Sequence, residues 1–413
     1  MTELYENKTK QECVVLVAAS VGDEVSVQDS LDELEELVST AGAQAVGRFV
    51  QNRQAIDIAT YIGRGKVAEL REYIHLTGAT GIVCDDELTP SQMNNLEREL
   101  DTKIMDRTMV ILDIFASRAS TKEGKIQVEL AQLRYRATHL IGMGSILSRQ
   151  GGGIGTRGPG EKQLEIDRRV IRERISKLKA ELEQVKINRT TQRKRRMDQG
   201  VPVVCIVGYT NAGKSTLLNR LTDSQVLSED KLFATLDPTT RSLVLEDGQQ
   251  ILLTDTVGFI RKLPHHLIQA FRSTLEEAKY ADDILHVVDA SNPQMDIQMH
   301  TVYETLRELE IGNKPILTAF NKVDREGVPE VLKDFHADET YRISARTGQG
   351  LDELLTGIGR RIRESRVYLE HVYPYNEAAK IALIRKRGQV IEEEYREDGI
   401  YIRAYVDRRG NYV

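Results

Sequence analysis

No run of apolar residues in the 413-residue chain approaches the ~20 that a membrane span requires, and the N-terminus lacks the basic-then-apolar layout of an export signal. Both absences lead us to expect a cytoplasmic protein with no transmembrane segment. Cysteine is scarce: Cys13, Cys84 and Cys205 each lie inside an apolar, strand-like run, with no C-x-x-C or histidine spacing around them. A disulfide framework and a zinc module are therefore excluded, and the three thiols are expected to be core residues in a reducing compartment. An excess of positive charge is also missing. The formal net charge is −6, which argues against a protein that coats nucleic acid over its whole surface, and no DNA partner is expected.

The chain is too long for a single core, and two to four domains are expected from its length. At 40% hydrophobic and 29% charged residues, its composition is that of an ordinary globular protein. Its most informative stretch is Gly208-Tyr209-Thr210-Asn211-Ala212-Gly213-Lys214-Ser215. This matches G-x-x-x-x-G-K-[ST] and directly follows the apolar run 203–207. A buried strand thus empties into a glycine-permitted turn and then a helix, so inward-facing N–H groups and the helix dipole make a phosphate cradle. Lys214 would neutralise β and γ oxygens, and the Ser215 hydroxyl would take one place on Mg2+.

Three further patterns follow in order. Residues 231–241 form a polar, proline-containing stretch where a switch threonine is expected. A strand at 250–253 ends in Thr254-Asp255-Thr256-Val257-Gly258, which fits D-x-x-G, with Asp255 ordering the magnesium shell and Gly258 reaching the γ-phosphate through its backbone. A strand at 315–320 ends in Asn321-Lys322-Val323-Asp324, the N-K-x-D pattern. The Asp324 carboxylate can accept from the ring N–H and amino group of guanine, and adenine would leave it unpaired, so GTP is selected over ATP. Ser344-Ala345-Arg346 would complete the base pocket with backbone donors.

Around this domain, residues 12–100 alternate strand-like and helix-like stretches, which predicts an α/β domain. Within it, Gly63-Arg64-Gly65-Lys66 is too short a pattern to support a second nucleotide site. From Thr121 to about Asp198 the chain predicts long charged helices. Leu164, Ile171, Leu178 and Val185 recur every seven residues with Ile175 and Leu182 beside them, and Ile126, Leu130, Leu133, Ala137 and Leu140 form a matching seam. An antiparallel helical hairpin is expected, with the glycine-rich stretch 151–160 at its tip. Residues 161–198 hold 13 Lys or Arg against 7 Asp or Glu, and Arg149 and Arg157 add charge near the tip. Such a rod suits insertion into an RNA crevice, and it equally suits a linker with solvated charges. The expected architecture is α/β, with an N-terminal α/β domain (1–118), the hairpin (119–198), a P-loop domain with a mostly parallel sheet (199–365) and a small C-terminal α/β domain (366–413).

With these motifs in place, residues 199–365 resemble a translation-factor-class P-loop GTPase. The stretch 152–161, Gly-Gly-Ile-Gly-Thr-Arg-Gly-Pro-Gly-Glu, followed by Gln163-Leu164-Glu165, is similar to the HflX family, and the domain order fits that family over nearly the whole chain. The resemblance implies a GTPase that binds the large (50S) ribosomal subunit and its rRNA. It would act in splitting stalled or idle ribosomes or in subunit maturation.

The resemblance also makes Phe233-Ala234-Thr235-Leu236-Asp237 the first switch, with Thr235 as second magnesium ligand, and places catalysis on Lys214, Thr235 and Gly258. Phe259 stands where Ras-like enzymes carry the water-orienting glutamine, which implies slow intrinsic hydrolysis that rises when a ribosome orders the switches. Asn211 is the residue type that potassium-activated relatives place near the phosphates, and it would equally brace the turn. Two other readings stay open: an assembly GTPase with an RNA-remodelling activity in the N-terminal domain, and a protein-only switch. Nothing in the sequence demands a dimer, and a monomer is expected.

Overall fold

The computed structural model describes residues 11–21, 24–150, 159–198, 201–222, 232–246, 248–264, 267, 277–311 and 314–407. The hairpin tip at 151–158 lies outside the described residues. The chain forms two compact units, Met1–Leu182 with Arg261–Ala270, and Glu183–Ile260 with Phe271–Val413. Among the described residues, no helix is long and apolar enough to cross a membrane.

The first unit is built on a four-stranded parallel sheet of β1 (Cys13–Ser20), β2 (Gln44–Asn52), β3 (Gly81–Cys84) and β4 (Lys103–Asp106), in the order β2-β1-β3-β4. Between the strands run α1 (Glu24–Thr40), α2 (Arg64–Thr77) and α3 (Pro90–Leu100), and α4 (Arg107–Arg118) follows β4. Val15, Val17 and Ala19 pack with Val67 and Leu70 of α2 and Leu96 of α3. The alternate residues Val14, Leu16 and Ala18 are equally buried, as a parallel sheet covered on both faces requires. Local chemistry fixes α3: Thr89 and Gln92 form a reciprocal capping box, Pro90 opens the helix, and Asp101 closes it in the left-handed region. The sequence reading leaves β4 and α4 unassigned.

Gly63-Arg64-Gly65-Lys66 has a structural account. The Gly63 N–H donates to Gln51 Oε1 at 2.7 Å, Lys66 pairs with Glu69, and its ammonium lies 5.1 Å from the centre of the Phe49 ring.

Two long helices follow, α5 (Lys122–Gln150) and α6 (Pro159–Asp198). Ile126, Leu130 and Leu178 are buried together, with Leu133, Ile175 and Leu182 packed against them, so the predicted seams meet. Glu129 pairs with Arg174, and Arg168 donates to the Leu140 carbonyl, so the later residues of α5 face the earlier residues of α6 and the pair is antiparallel.

The second unit holds a six-stranded sheet of β5 (Val203–Gly208), β6 (Thr239–Val244), β7 (Gln250–Asp255), β8 (Asp283–Asp289), β9 (Ile316–Asn321) and β10 (Glu339–Arg342). Its order is β10-β9-β8-β5-β7-β6, and every neighbouring pair is parallel except β6 with β7. The polar stretch that reads as a loop to Arg241 becomes this antiparallel edge strand from Thr239 on, because pairing with β7 supplies the hydrogen bonds its own composition does not advertise. Helices α7 (Lys214–Thr222), α8 (Met295–Glu308) and α9 (Leu351–Ser365) accompany the sheet, and Leu217, Leu218, Leu354 and Ile358 share a core with Val204, Ile206 and Leu253.

The chain ends in an antiparallel sheet, β11 (Arg366–Tyr373), β12 (Gln389–Arg396) and β13 (Gly399–Asp407), with β13 central. Helix α10 (Ala378–Arg387) buries Ile381 and Ile384 against Leu369, Ile402 and Ala404.

Candidate functional site

Strand β5 is completely buried from Val204 onward, and where it ends the chain turns back through Gly208 to Gly213 into α7. The turn needs its glycines. Gly213 has φ +94°, and a Cβ there would come within 2.3 Å of Asn321 Nδ2, so an alanine would be both strained and displaced. A cavity opens above the turn, lined by Thr210, Asn211, Lys214 and Ser215 from the loop, Phe233 to Thr235 from the stretch expected as the first switch, and Thr256 and Gly258 from the D-x-x-G motif.

Lys214 is 6% exposed, and its ammonium donates to the carbonyls of Gly208 (3.1 Å) and Tyr209 (2.7 Å). Burial depresses its pKa to about 8; Asp255 opposes the shift, and Lys322 adds to it. A lysine so placed is a poorly solvated cation awaiting anionic partners. Thr210 Oγ1 is buried without a hydrogen-bond partner, a second group whose partner a ligand would supply.

The oxygens at the other end of the cavity converge. Ser215 Oγ donates to Asp255 Oδ2 at 2.6 Å and lies 2.7 Å from Thr235 Oγ1. Asp255 is fully buried, desolvation raises its pKa against the pull of Lys214, and its second oxygen, Oδ1, has no partner. An orphaned carboxylate oxygen beside two hydroxyls is a hard oxygen donor set, which fits Mg2+, with Ser215 and Thr235 as the residues that would hold it and Asp255 beside them. Of the other residues expected in the first switch, Phe233 and Leu236 are buried, Phe233 at φ +53°, and Ala234 and Asp237 are half-buried.

The N-K-x-D stretch is tied to the loop by two side chains. Asn321 Nδ2 donates to the Ala212 carbonyl, and Asn321 Oδ1 accepts from the Ala345 N–H, both at 2.9 Å. Lys322 donates to the Asn211 carbonyl at 2.8 Å and pairs with Asp289 at 2.6 Å. The Val323 N–H donates to the Ile343 carbonyl, and Asp324 pairs with Arg346 at 2.7 Å. Hydrogen bonding from the Ser344 side chain holds the Asp324 pKa below the usual carboxylate range, so the group is a ready acceptor.

The four motifs that the sequence scatters over residues 208–346 therefore meet around one loop. Sequence reasoning passes over Thr216 and Asp289. Thr216 adjoins the motif serine, whereas Asp289 stands at the end of β8, and only the fold shows that it anchors Lys322. Phe259 is buried, and only its backbone takes part, accepting from the Thr210 N–H and donating to the Gly208 carbonyl. Its ring has no means of orienting a water.

Residues 28–116 match the family described as GTP-binding GTPase N-terminal, 118–196 the GTP-binding GTPase middle region, and 203–322 the 50S ribosome-binding GTPase family. The chain is 65% identical to GTPase HflX of Lacrimispora saccharolytica over 98% of its own length and 96% of the relative's. It is 48% identical to GTPase HflX of Caldanaerobacter subterraneus over 98% and 93%. Among solved structures, a GTP-binding protein of Sulfolobus solfataricus in complex with GDP is 25% identical, covering 85% of this chain and 98% of that one, with a TM-score of 0.45. With three family regions matched in succession and identity that high over the full length, this chain belongs to the HflX family of GTPases.

Proposed function

We propose that the protein associates with the large ribosomal subunit through its rRNA and acts in splitting or rescuing ribosomes, holding on in the GTP form and releasing after hydrolysis. The observation that carries the switch is the convergence of Ser215, Thr235 and Asp255 beside Lys214, with Gly258 closing the same cavity. The ribosomal partner is supported by the match of residues 203–322 to the 50S ribosome-binding GTPase family. It is supported also by the excess of basic residues along α6.

In this reading Lys214 and the loop N–H groups hold the triphosphate and draw charge from the leaving diphosphate, while Gly258 senses the γ-phosphate through its backbone. Ser215 and Thr235 would hold Mg2+, which when bound would add to the neutralisation of the phosphates. Asp324 accepts from guanine, and the Ser344 to Arg346 loop closes the base pocket. No side chain among those lining the cavity is a general base, so intrinsic hydrolysis is slow and the ribosome accelerates it by ordering the switches. The proposed domains are an N-terminal α/β domain (1–118), the rod (119–198), the switch (199–365) and a small C-terminal domain (366–413), acting in the cytoplasm.

Sedimentation with 70S ribosomes tests this, with GDP, GTP or a non-hydrolysable analogue bound and residues 142–160 intact or shortened. The expected result is co-migration of the triphosphate forms with 50S particles and release of free small subunits, both lost on shortening. Binding that ignores nucleotide and loop alike would overturn the ribosomal role. Asn211 lines the cavity, and its backbone carbonyl is held by Lys322, a placement in keeping with a potassium ion at the phosphates. Faster GTP turnover in potassium than in sodium at equal ionic strength is expected, and equal rates would remove the ion from the mechanism.

A further inference from the structure

Parallel neighbours in a sheet are joined by a crossover, and the usual crossover is a helix. Strands β9 and β10 are parallel neighbours, yet residues 322–338 between them form neither helix nor strand. Irregular connections of that length are uncommon inside a compact domain, and an ordered one calls for a functional account. This one is tethered in three ways. Val323, Val328 and Leu332 pack against Val288, Met299 and Phe320. The Arg342 guanidinium donates to the carbonyls of Pro329 and Glu330, both at 2.8 Å.

The third tether reaches inward between α8 and β9. Asp334 is buried, and its Oδ2 accepts from the Tyr303 hydroxyl of α8 at 2.5 Å and from the Thr318 hydroxyl of β9 at 2.7 Å. Its Oδ1 accepts from the His336 N–H at 3.0 Å, and the His336 and Tyr303 rings lie with centroids 4.8 Å apart. A carboxylate so far from water is tolerated only because these donors answer it. The backbone on either side of residue 335 is thereby held.

What the tethers display is apolar. Phe335 is 91% exposed and Val331 is 70% exposed. Apolar residues scattered singly over a surface are ordinary. Here an aromatic and a branched side chain stand four residues apart on one pre-ordered loop, so a partner that covers them immobilises little that is not already fixed, which is how interface anchors gain their energy. The charge around them says what kind of partner fits. Helix α8 and residues 325–338 together hold 7 Asp or Glu against 3 Lys or Arg, and all of the seven except Asp334 are exposed. Phosphate is repelled by such a surface, whereas α6 carries the opposite balance. We infer that Phe335 and Val331 anchor the GTPase domain in an apolar pocket of a basic protein. With the ribosomal reading above, on which this inference rests, that protein belongs to the large subunit.

Large (50S) subunits are the probe, with the full-length protein carrying a non-hydrolysable GTP analogue. Replacing Phe335 by its photoreactive analogue benzoylphenylalanine is expected to give a crosslink to a protein of the particle. A crosslink to rRNA or within the chain, or none from particles that carry the protein, overturns the anchor. Phe335→Ser and Val331→Ser should bind GDP and unfold as the wild type does, because both side chains are already in water. Phe335→Ser should weaken 50S binding about tenfold or more, with a smaller loss for Val331→Ser, and unchanged binding in Phe335→Ser overturns the anchor. Glu326→Lys combined with Glu330→Lys reads the partner's charge. Weaker binding is expected against a basic protein, and unchanged or tighter binding, the latter being the response to phosphate, overturns the assignment. A wild type that fails to bind 50S subunits in any nucleotide state overturns the ribosomal reading and the anchor together.

Discussion

Two parallel sheets in this chain present their carboxyl ends in opposite ways. In the N-terminal sheet the strands end in charged side chains that satisfy one another: Asp85 with Arg107, Ser30 and Lys262, Asp86 with Tyr61, and Asp106 with the N–H groups of Leu88 and Met109 and the Tyr135 hydroxyl. In the GTPase sheet Asp289 and Asn321 are answered in the same way at the ends of β8 and β9, but the ends of β5 and β7 leave Thr210 Oγ1 and Asp255 Oδ1 unpartnered and Lys214 reduced to its own loop carbonyls. Both positions lie where open α/β sheets place ligands. What separates a filled end from a binding end is whether the buried polar groups are already answered from within the chain.

The sharpest way to break the comparison is to open the filled end. Arg107 is fully buried against Asp85 and Glu33, so Arg107→Ala removes the buried cation between two carboxylates and is expected to cost about 3–5 kcal/mol of stability. Chemical denaturation with GDP titration on the folded fraction checks it. GDP affinity should persist, and a loss of nucleotide binding larger than the loss of stability would mean that the N-terminal end takes part in the site. Lys214→Ala does the converse, removing the cation from the binding end. It should lower GTP turnover by about 10²–10³, while thermal stability without nucleotide holds or rises, because a depressed lysine pKa reports a charge that folding buries at a cost. A smaller effect is expected at the N-K-x-D carboxylate, where Asp324→Asn should cut the preference for GTP over ATP by about 10- to 100-fold in competition binding, leaving hydrolysis of bound GTP unchanged.

The binding end is legible in sequence because its chemistry is local. A phosphate loop needs its glycines, lysine and serine within one turn, and D-x-x-G and N-K-x-D sit at strand ends marked by apolar runs. Core seams such as Ile126, Leu130 and Leu178 are legible for the same reason, since helical period alone aligns them. The filled end is not. Arg107, Asp85 and Lys262 are distant in sequence, and each alone reads as a solvated charge; only the parallel register of β3 with β4 brings the first two together. Strand β6 is hidden in a polar stretch whose hydrogen bonds come from β7, and Asp289 gains its meaning only from Lys322. What escapes the sequence is what tertiary pairing creates.

The smallest expected effect is a proton. With a pKa of about 8 in the nucleotide-free protein, Lys214 is charged at pH 7 and mostly neutral at pH 9. Phosphate oxygens favour the ammonium, so binding above pH 8 must draw a proton from solution, and affinity should fall as pH rises, by about tenfold between pH 7 and 9. The sign follows from the site, because a cation destabilised by burial gains more from an anionic ligand than a solvated one would. Calorimetry in two buffers of different ionisation enthalpy reads the uptake directly, with close to one proton per bound nucleotide expected at pH 9 and little at pH 7. No uptake at pH 9 would mean that the two loop carbonyls already hold Lys214 fully charged, and the binding end would then be as internally answered as the filled one.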